Sequence, residues 1–376
     1  MARIGVNALY LIPGGVGGTE IYLRELLAAL ARIDTANEYF VFTNLETGAD
    51  LVPSQANFHL KRQNVRASFR PARILWEQIV LPFQAWRWRL DVMFNPGFTA
   101  PVLAACPLVT VFHDLQHKRH PEHFRWFDLP FWRVLLWGSA HSSQSLITES
   151  ESTRADLLRY YRLRRKPIDV IPLGVEKRFF ELARTELEPY VLCVSTLHPH
   201  KNLDRLIRAY ARGKREFRLV LAGMRGFHTR PLEKLIAELG LVDSVQLTGW
   251  IAREELYRLY ERAHAFIYPS TFEGFGMPVL EALAAGIPTA CSDIPVLREV
   301  AGDAALLFAP LDESAIGDAL ERVTTDSALR ERLAEAGVAR ARGFTWEKTA
   351  RATLGAITAV VTASQKSKVK SQKSKV

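Results

Sequence analysis

Short apolar runs alternate with longer amphipathic runs along almost the whole chain, and this rhythm constrains the fold more than any other feature. In the first half the runs of strand length lie at residues 3–7, 39–43, 92–95, 108–112, 145–148 and 169–171. In the second half they lie at residues 190–194, 218–222, 245–248, 265–268, 288–291 and 305–308. Strands that alternate with helices form parallel sheets covered on both faces, so we predict an α/β protein with two Rossmann-like domains.

The chain has 376 residues, which exceeds one ordinary hydrophobic core and agrees with two domains. Pro172-Leu173-Gly174-Val175, followed by a charged stretch, is typical of a linker, so we place the first domain at 1–172 and the second from 173 to 345. Residues 364–376 repeat the letters SQKSKV and carry five lysines and no acidic residue, which predicts a disordered tail. A ligand is expected in the cleft between the domains, at the carboxyl ends of the strands.

The net charge of +9 raises nucleic acid, a membrane surface or an anionic substrate as a partner. Its distribution separates these alternatives. Residues 1–172 hold 20 basic and 15 acidic residues, residues 173–363 hold 24 and 25, and the tail holds the remaining five lysines. Because the second half is nearly neutral and offers no basic groove, we do not expect nucleic acid as a partner.

The three cysteines, Cys106, Cys193 and Cys291, are widely spaced and lie in apolar runs, which predicts buried thiols in a reducing cytoplasm. The first ten residues indicate a strand and not a signal peptide. The long run without charged side chains, residues 92–112, contains Pro96, Pro101 and Pro107, which do not suit a spanning helix. We therefore predict a cytoplasmic protein that does not span a membrane.

A glycine-rich loop follows the first strand and precedes a helix, at residues 13–20. Gly17 in this loop is a candidate for contact with a phosphate, although a plain tight turn accounts for the glycines equally well. A dinucleotide-binding fingerprint fails, because Glu20 occupies its third glycine position and the next strand ends in Asn44 instead of an acidic residue.

A second glycine-rich loop, at residues 268–281, carries a stronger signal. A strand leads into Gly274-Phe275-Gly276, and Pro278 stands at the expected first helical position, which predicts an anion site at the helix start. Glu273 and Glu281 border this site. Carboxylates beside a bound anion make sense when they bind hydroxyl groups of the same ligand, so a nucleotide sugar is indicated. The structural alternative is a loop cap at Glu273 and a solvated helix residue at Glu281.

Several motifs occur around this loop in a fixed order, and together they resemble family 4 of the retaining nucleotide-sugar glycosyltransferases. They are Leu221-Ala222-Gly223, Thr248-Gly249-Trp250, the E-x7-E block from Glu273 to Glu281, Leu283-Ala284-Ala285-Gly286-Ile287-Pro288, Glu299-Val300-Ala301-Gly302-Asp303-Ala304 and Phe344-Thr345-Trp346. The likeness extends over residues 3–362. It implies the GT-B fold, in which two Rossmann-like domains with parallel sheets face each other across a cleft and a last helix, 346–363, crosses back to the first domain.

The resemblance also implies roles for individual residues. Lys201 matches the lysine that neutralises the leaving diphosphate, and His113 matches a histidine that faces the sugar; with Glu273 they form the implied catalytic set. The implied contacts to donor sugar and phosphate are Gly17, His200, Lys201, Glu273, Gly274, Phe275, Gly276 and Met277. The implied nucleoside contacts are Gly223, Pro269, Ser270 and Glu281, with Glu281 on the ribose.

One implied contact departs from the family pattern. His200 stands where the family commonly has an arginine directly before the lysine. The guanidinium of an arginine is always charged and can donate two parallel hydrogen bonds, whereas the charge of an imidazole depends on pH. The pH dependence of diphosphate binding is therefore a question that this chain raises.

The sequence gives no reason to expect a metal. It contains no Asp-x-Asp pair to bridge a metal and a diphosphate. We therefore expect the negative charge of the departing diphosphate to be stabilised by Lys201, amides near Gly17 and the helix start at Pro278. The histidines 113, 117, 120 and 123 are not expected to bind a metal either, because Pro121 breaks the helix that would align them. Beyond the nucleotide-sugar co-substrate we expect no cofactor.

Residues 61–90 form a basic and aromatic segment, with seven basic residues and one acidic residue, Glu77. Such a segment can contact an anionic membrane surface. It can equally be ordinary packing, in which Ile74, Leu75, Ile79 and Val80 form one buried helix face. The candidate membrane or acceptor residues are Arg70, Arg73, Trp76, Trp86, Arg87 and Arg89.

The resemblance implies a retaining glycosyltransferase, and the lack of an Asp-x-Asp pair predicts one that works without a metal. It would move a mannose-like hexose from a GDP- or UDP-linked donor to a saccharide or lipid-linked saccharide in cell-surface polysaccharide biosynthesis. Its expected location is the cytoplasm, at the inner face of the cytoplasmic membrane if the membrane contact is real. The alternative is a nucleotide-sugar epimerase or hydrolase on the same fold, which would not need the basic aromatic segment.

Overall fold

The computed structural model describes residues 1–14, 17–226 and 228–373, which divide into two compact units. Unit 1 comprises Met1–Gly174 and the C-terminal segment from Trp346, and unit 2 comprises Val175–Thr345. The change of unit lies two residues beyond the predicted domain boundary at 172. Unit 2 is thus one continuous insertion between the two parts of unit 1.

Unit 1 contains a seven-stranded sheet in which every neighbouring pair of strands is parallel, in the order β3-β2-β1-β4-β5-β6-β7. The central strand buries all four of its residues, because helices cover both faces of the sheet. The strands are β1 (Arg3–Asn7), β2 (Glu38–Thr43), β3 (Phe58–Arg62), β4 (Val92–Asn95), β5 (Leu108–Phe112), β6 (Ser145–Thr148) and β7 (Ile168–Val170), and the helices are α1 (Gly18–Ile33), α2 (Arg70–Arg87), α3 (Gln116–Arg119), α4 (Leu129–Ser142) and α5 (Glu151–Tyr161).

Unit 2 contains a six-stranded parallel sheet in the order β10-β9-β8-β11-β12-β13. Its strands are β8 (Glu188–Val194), β9 (Arg218–Ala222), β10 (Val245–Gly249), β11 (Ala263–Tyr268), β12 (Thr289–Ser292) and β13 (Leu306–Phe308), and its helices are α6 (Leu203–Arg212), α7 (Thr229–Glu238), α8 (Arg253–Arg262), α9 (Met277–Ala284), α10 (Pro295–Ala301), α11 (Glu313–Thr325) and α12 (Ser327–Ala341). The predicted class of two parallel α/β domains is confirmed.

The last helix, α13 (Trp346–Lys373), packs on α1 of unit 1. Trp346, Ala350 and Ile357 are buried, and the Trp346 ring lies 6.3 Å from the ring of Tyr22 on α1. The chain therefore returns to its first unit at Trp346. The sequence predicts a disordered tail from residue 364, whereas the backbone stays helical to Lys373. Extending an existing helix requires no new nucleation, which explains the difference.

Helix α2 turns a different face inward from the one that its sequence suggests. Its buried residues are Arg73, Ile74, Glu77, Leu81 and Ala85. Leu75 and Ile79 are exposed, so the hypothesis that Ile74, Leu75, Ile79 and Val80 form one buried face is wrong. Phe83 and Trp86 continue the exposed stripe at helical spacing.

Two of the candidate surface residues on α2 are not on the surface. Arg73 is buried beside Glu77, 4.0 Å from its carboxylate, and burial lowers the pKa of its guanidinium. Asn7 and Thr99 donate to the same carboxylate at 3.0 and 2.8 Å, which completes a polar network under the helix. Trp76 packs half-buried against the core of unit 1. Arg70, Trp86, Arg87 and Arg89 remain exposed as predicted.

In the part of the chain that the structure describes, no helix has both the length and the apolar character needed to cross a membrane.

We predict that Trp346→Ala destabilises unit 1 by about 3–5 kcal/mol, because it removes a large buried side chain between α13 and α1. The matched control is Trp126→Ala, since Trp126 is 84% exposed whereas Trp346 is 5% exposed. The control should change the free energy of unfolding by no more than about 0.5 kcal/mol. Chemical denaturation of both variants measures the difference, and equal effects would contradict the placement of α13.

Candidate active site

Three loops at the carboxyl edge of the unit 2 sheet are tied together by Asn202. This residue follows a short 3₁₀ helix, Pro199–Lys201, and adopts the left-handed conformation with φ 58°. Its side-chain amide donates to the carbonyls of Pro269 and Pro310 at 3.1 and 2.6 Å. The loops that follow β8, β11 and β13 are therefore joined by one side chain.

The carbonyl of His200 makes a second junction between the loops after β8 and β11. It accepts hydrogen bonds from the Thr271 amide at 2.8 Å and from the hydroxyls of Thr271 and Ser270 at 3.0 and 3.1 Å. Ser270 is fully buried and also donates to the Phe272 carbonyl. The Ser270 hydroxyl therefore takes part in the loop framework, and the nucleoside contact that the resemblance implies for Ser270 stays a prediction.

Lys201 and Glu273 meet directly, although 72 residues separate them in the sequence. The Lys201 ammonium donates to Glu273 Oε1 at 2.6 Å and to the Tyr268 hydroxyl at 3.1 Å. Both charged side chains are largely buried, with exposed fractions of 12% and 11%. Burial, reinforced by the Glu273 charge, raises the pKa of Tyr268 well above its ordinary value, so its hydroxyl stays protonated. Two of the three predicted catalytic residues therefore form one charged pair.

Helix α9 begins at Met277, a few residues after Glu273 in the same loop. Gly276 has φ 102° at the N-cap, and a Cβ there would lie 2.5 Å from Leu297, so this turn requires glycine. Phe275 is buried and its ring lies 6.1 Å from that of Phe344, so its side chain belongs to the core. The backbone of this loop, with Gly274, Gly276 and Met277, is the part that suits an anion at a helix start.

Gly223 directly follows β9 and lies close to the loop after β8. A Cβ at this position would lie 2.1 Å from the Ser195 carbonyl oxygen, so only glycine fits the observed backbone. The two loops therefore approach each other more closely than they could if residue 223 carried a side chain.

Glu281 is buried inside α9 and forms two side-chain hydrogen bonds. Tyr260 donates to Oε2 at 2.8 Å, and Arg253 at the start of α8 donates to Oε1 at 3.1 Å. Burial raises the pKa of the Glu281 carboxyl, and the Arg253 charge opposes this rise. The hypothesis of a solvated helix residue is wrong for Glu281.

His113 follows β5 in unit 1, and both of its ring nitrogens have partners within that unit. Nδ1 contacts Glu149, which follows β6, and Nε2 lies 2.7 Å from the Pro96 carbonyl, which follows β4. A carbonyl only accepts, so Nε2 carries a proton. Burial lowers the pKa of His113, but Glu149 outweighs this effect and the pKa lies above its ordinary value. A sugar-facing role for the ring would require one nitrogen to exchange its partner.

The glycine-rich loop of unit 1 is only partly described, since Gly15 and Val16 lie outside the described residues. Gly17 has φ 59° and forms the N-cap of α1. The Glu20 carboxylate accepts from the Gly14 amide at 2.7 Å and from Arg24 at 2.9 Å. Glu20, which occupies the third glycine position of the dinucleotide fingerprint, thus connects the helix to the start of this loop through its hydrogen bond with Gly14.

Two of the four histidines that the sequence singles out do come together with a carboxylate. Ligand atoms of His120, Glu122 and His123 lie within 4.8 Å of one another. However, the two imidazole rings are stacked with an interplanar angle of 11°, which directs their in-plane lone pairs along parallel planes instead of towards one point. We assign no ion to this cluster.

Three residues of these networks are absent from the sequence-based predictions. Asn202 is adjacent to Lys201, and its position at a loop end before a helix was a usable signal. Glu149 directly follows a buried strand, as His113 does, and offered the same signal. Arg253 stands in the sequence Arg-Glu-Glu, which is typical of a solvated helix start, so no pattern pointed to it.

Comparisons with known proteins cover both units. The family described as Glycosyl transferases group 1 matches residues 175–340, and the family described as Glycosyltransferase Family 4 matches residues 16–179. The O-antigen chain mannosyltransferase B of Escherichia coli is 30% identical over 291 residues, which cover 73% of this chain and 76% of that protein. The O-antigen chain mannosyltransferase RfbU of Salmonella typhimurium is 31% identical over 56% of this chain and 59% of its own length.

Solved structures share the fold at low sequence identity. WaaG, a glycosyltransferase involved in lipopolysaccharide biosynthesis, superposes with a TM-score of 0.74 at 18% identity, over 95% of this chain and 100% of that one. Anabaena Alr3699/HepE in complex with UDP and glucose has a TM-score of 0.73 at 19% identity, over 96% of this chain and 100% of that one. These likenesses support the same two-domain architecture.

We predict that Glu149→Gln lowers the pKa of His113 and removes a pH-dependent part of the stability. Because Glu149 raises this pKa above its ordinary value of 6.5, its stabilising effect is fully present below about pH 6.5 and is lost as the pH rises through the raised pKa. Thermal unfolding midpoints of wild type and variant should therefore differ more at pH 6 than at pH 9. Glu151→Gln, an exposed change two residues away, is the control. A pH-independent difference would contradict the His113–Glu149 pair.

Proposed function

The chain belongs to family 4 of the glycosyltransferases and has the GT-B fold, and from this premise we propose its reaction. It transfers a mannose-like hexose from a nucleoside-diphosphate sugar to a saccharide or lipid-linked saccharide during cell-surface polysaccharide biosynthesis. The observation that carries the proposal is the Lys201–Glu273 pair, in which Glu273 belongs to the loop that leads into α9. The names of two relatives, both O-antigen chain mannosyltransferases, support mannose as the sugar and a polysaccharide as the product.

The proposed donor chemistry follows from the charges of the pair. A diphosphate that reaches the start of α9 meets the helix dipole, backbone amides and the Lys201 ammonium, all of which favour an anion. As the diphosphate engages Lys201, the Glu273 carboxylate is released to accept from sugar hydroxyls. The same residue thus acts as the counter-ion of Lys201 in the free enzyme and as a sugar ligand in the complex.

The proposed transfer retains the anomeric configuration and uses no metal. The acceptor hydroxyl attacks the anomeric carbon on the face that the phosphate leaves, so a new carbon–oxygen bond replaces the bond to the diphosphate. The hydroxyl proton passes to the departing phosphate oxygen, whose charge Lys201 and the α9 amides stabilise. His200, next to Lys201 in the sequence, places an imidazole in this region. The donor of the proposed reaction is either GDP- or UDP-linked.

An epimerase or hydrolase on the same fold is the alternative function. An exposed apolar surface on unit 1 favours a transferase with a large acceptor. On α2 this surface is the stripe of Leu75, Ile79, Phe83 and Trp86. An enzyme that converts the donor sugar alone has no use for such a surface.

The apolar stripe of α2 continues across a loop onto α4. Gln78 of α2 donates to the Ala100 carbonyl at 3.0 Å, and the Ala100 amide donates to Ser139 of α4 at 3.0 Å. The exposed apolar residues along this path are Leu75, Ile79, Phe83, Trp86, Val102, Leu103, Phe131, Val134 and Trp137, and we call them the apolar face. Large exposed apolar surfaces of this kind mark interaction sites.

The basic residues of α2 suggest the partner of the apolar face. Arg70, Arg87 and Arg89 are exposed near its α2 end. Aromatic side chains combined with arginines suit an anionic bilayer surface. We therefore propose that the enzyme contacts the inner face of the cytoplasmic membrane through this face, where a lipid-linked acceptor would lie.

We predict that Glu273→Gln leaves nucleoside-diphosphate binding intact and lowers the turnover number about 100-fold or more. The amide keeps a hydrogen-bond acceptor for Lys201 but removes the charge that strengthens bonds to the sugar hydroxyls. Calorimetry with GDP and UDP measures binding, and release of nucleoside diphosphate in the presence of acceptor measures turnover. The control is Glu255→Gln on a surface ion pair. Unaltered turnover would remove Glu273 from the sugar site.

We predict that the triple change Trp86→Gln, Arg87→Gln and Arg89→Gln weakens binding to anionic vesicles about tenfold or more, because each arginine near the surface contributes about 1 kcal/mol. Sedimentation with vesicles of phosphatidylglycerol and phosphatidylcholine measures this. The matched control changes Trp250, Arg208 and Arg230 of unit 2, which are also exposed, to Gln. Equal binding of wild type and the α2 variant would eliminate the membrane contact.

A further inference from the structure

Five polar side chains of unit 2 form a closed network around one guanidinium, which we call the Arg253 cluster. Its members are Glu176, Arg253, Tyr257, Tyr260 and Glu281. Arg253 Nη2 contacts both Glu176 Oε1 and Glu281 Oε1, so one nitrogen bridges two carboxylates from distant parts of the sequence. A bridge of this kind fixes the position of each carboxylate relative to the other.

The guanidinium at the centre of the cluster is itself held on several sides. The rings of Phe179 and Tyr257 lie 5.2 and 5.1 Å from its central carbon, a distance at which aromatic faces attract a cation. Glu176, which Arg253 contacts, also accepts from the Tyr257 hydroxyl. Burial lowers the pKa of Arg253, but the two carboxylates outweigh it and raise this pKa, so the side chain is a fixed cation.

Glu281 gains a defined acceptor geometry from this arrangement. Among the described residues, Arg253 donates to Oε1 and Tyr260 donates to Oε2, which leaves one lone pair on each oxygen. Two acceptor positions side by side match two neighbouring hydroxyl groups, such as those of a ribose. Without a cation at hand, burial would drive this carboxyl towards its neutral form, which accepts less well.

We propose that Arg253 is a positioning residue for nucleoside recognition: it fixes Glu281 as a charged, two-oxygen acceptor for the ribose hydroxyls, and Glu176 anchors Arg253. This inference rests on the proposed function and on the contact between Glu281 and the ribose that the family resemblance implies. It assigns a role to a residue outside the matched E-x7-E block. Arg253 then strengthens nucleotide binding through Glu281 and has no direct bond to the ligand.

The test is a cycle between Arg253 and the ribose hydroxyls. Wild type, Arg253→Gln and the control Arg258→Gln, which alters an exposed pair on the same helix, are titrated with UDP and GDP and with their 2′,3′-dideoxy forms. We expect Arg253→Gln to weaken binding of the preferred diphosphate about tenfold and to leave binding of its dideoxy form unchanged, since a positioning role acts only through the hydroxyls. Arg258→Gln should match wild type with every ligand.

Two results would overturn the inference: equal weakening of both forms by Arg253→Gln, which indicates a contact elsewhere or general damage, or no weakening of either. Arg253→Lys, which keeps the charge, provides the answer if the Gln variant does not fold, and the same hydroxyl-dependent loss is then expected at smaller size. A wild-type protein that binds neither UDP nor GDP would instead overturn the proposed function. Nucleotide binding that ignores the ribose hydroxyls in wild type overturns the ribose contact of Glu281 and with it the role of Arg253, and it leaves the proposed transfer reaction standing.

Discussion

The geometry of the candidate site depends on the side-chain amide of Asn202. Parallel strands release their loops at one edge of the sheet, where each loop on its own is weakly restrained. Asn202 joins the loops after β8, β11 and β13 through the carbonyls of Pro269 and Pro310. Lys201 immediately precedes it, and the chain that carries Glu273 follows one of the joined carbonyls. The charged pair is therefore placed before any ligand arrives, which reduces the entropy cost of binding.

Several charged side chains that are buried in the two units have an opposite charge beside them. Arg73 lies by Glu77, His113 by Glu149, and Lys201 by Glu273. Removing one partner of such a pair costs more than the pair contributes, because the remaining charge stays buried. These pairs therefore act less as sources of stability than as fixed points, around which the loops at the sheet edges cannot rearrange freely.

Much of the fold follows from the sequence because core strands of parallel sheets are nearly continuous apolar runs. Each of the twelve predicted runs overlaps a strand, and β3 was missed because this edge strand alternates buried and exposed residues. Lys201 and Glu273 were found through motifs. Glu149 carries only the signal that it follows a buried strand, and Arg253 carries none, since its partner Glu281 lies 28 residues away and nothing local indicates the contact. Arg73 was misplaced because a charge alone suggests solvent.

The return of α13 to unit 1 has a consequence for the order of folding during synthesis. Unit 2 is continuous in sequence, so all of its strands leave the ribosome before Trp346 does. Unit 1 begins first and finishes last, because α13, which packs on α1, is made after all of unit 2. For that interval the nascent chain exposes the apolar residues of α1 that α13 later covers. Exposed apolar surface of this kind is where chaperones act and premature contacts form.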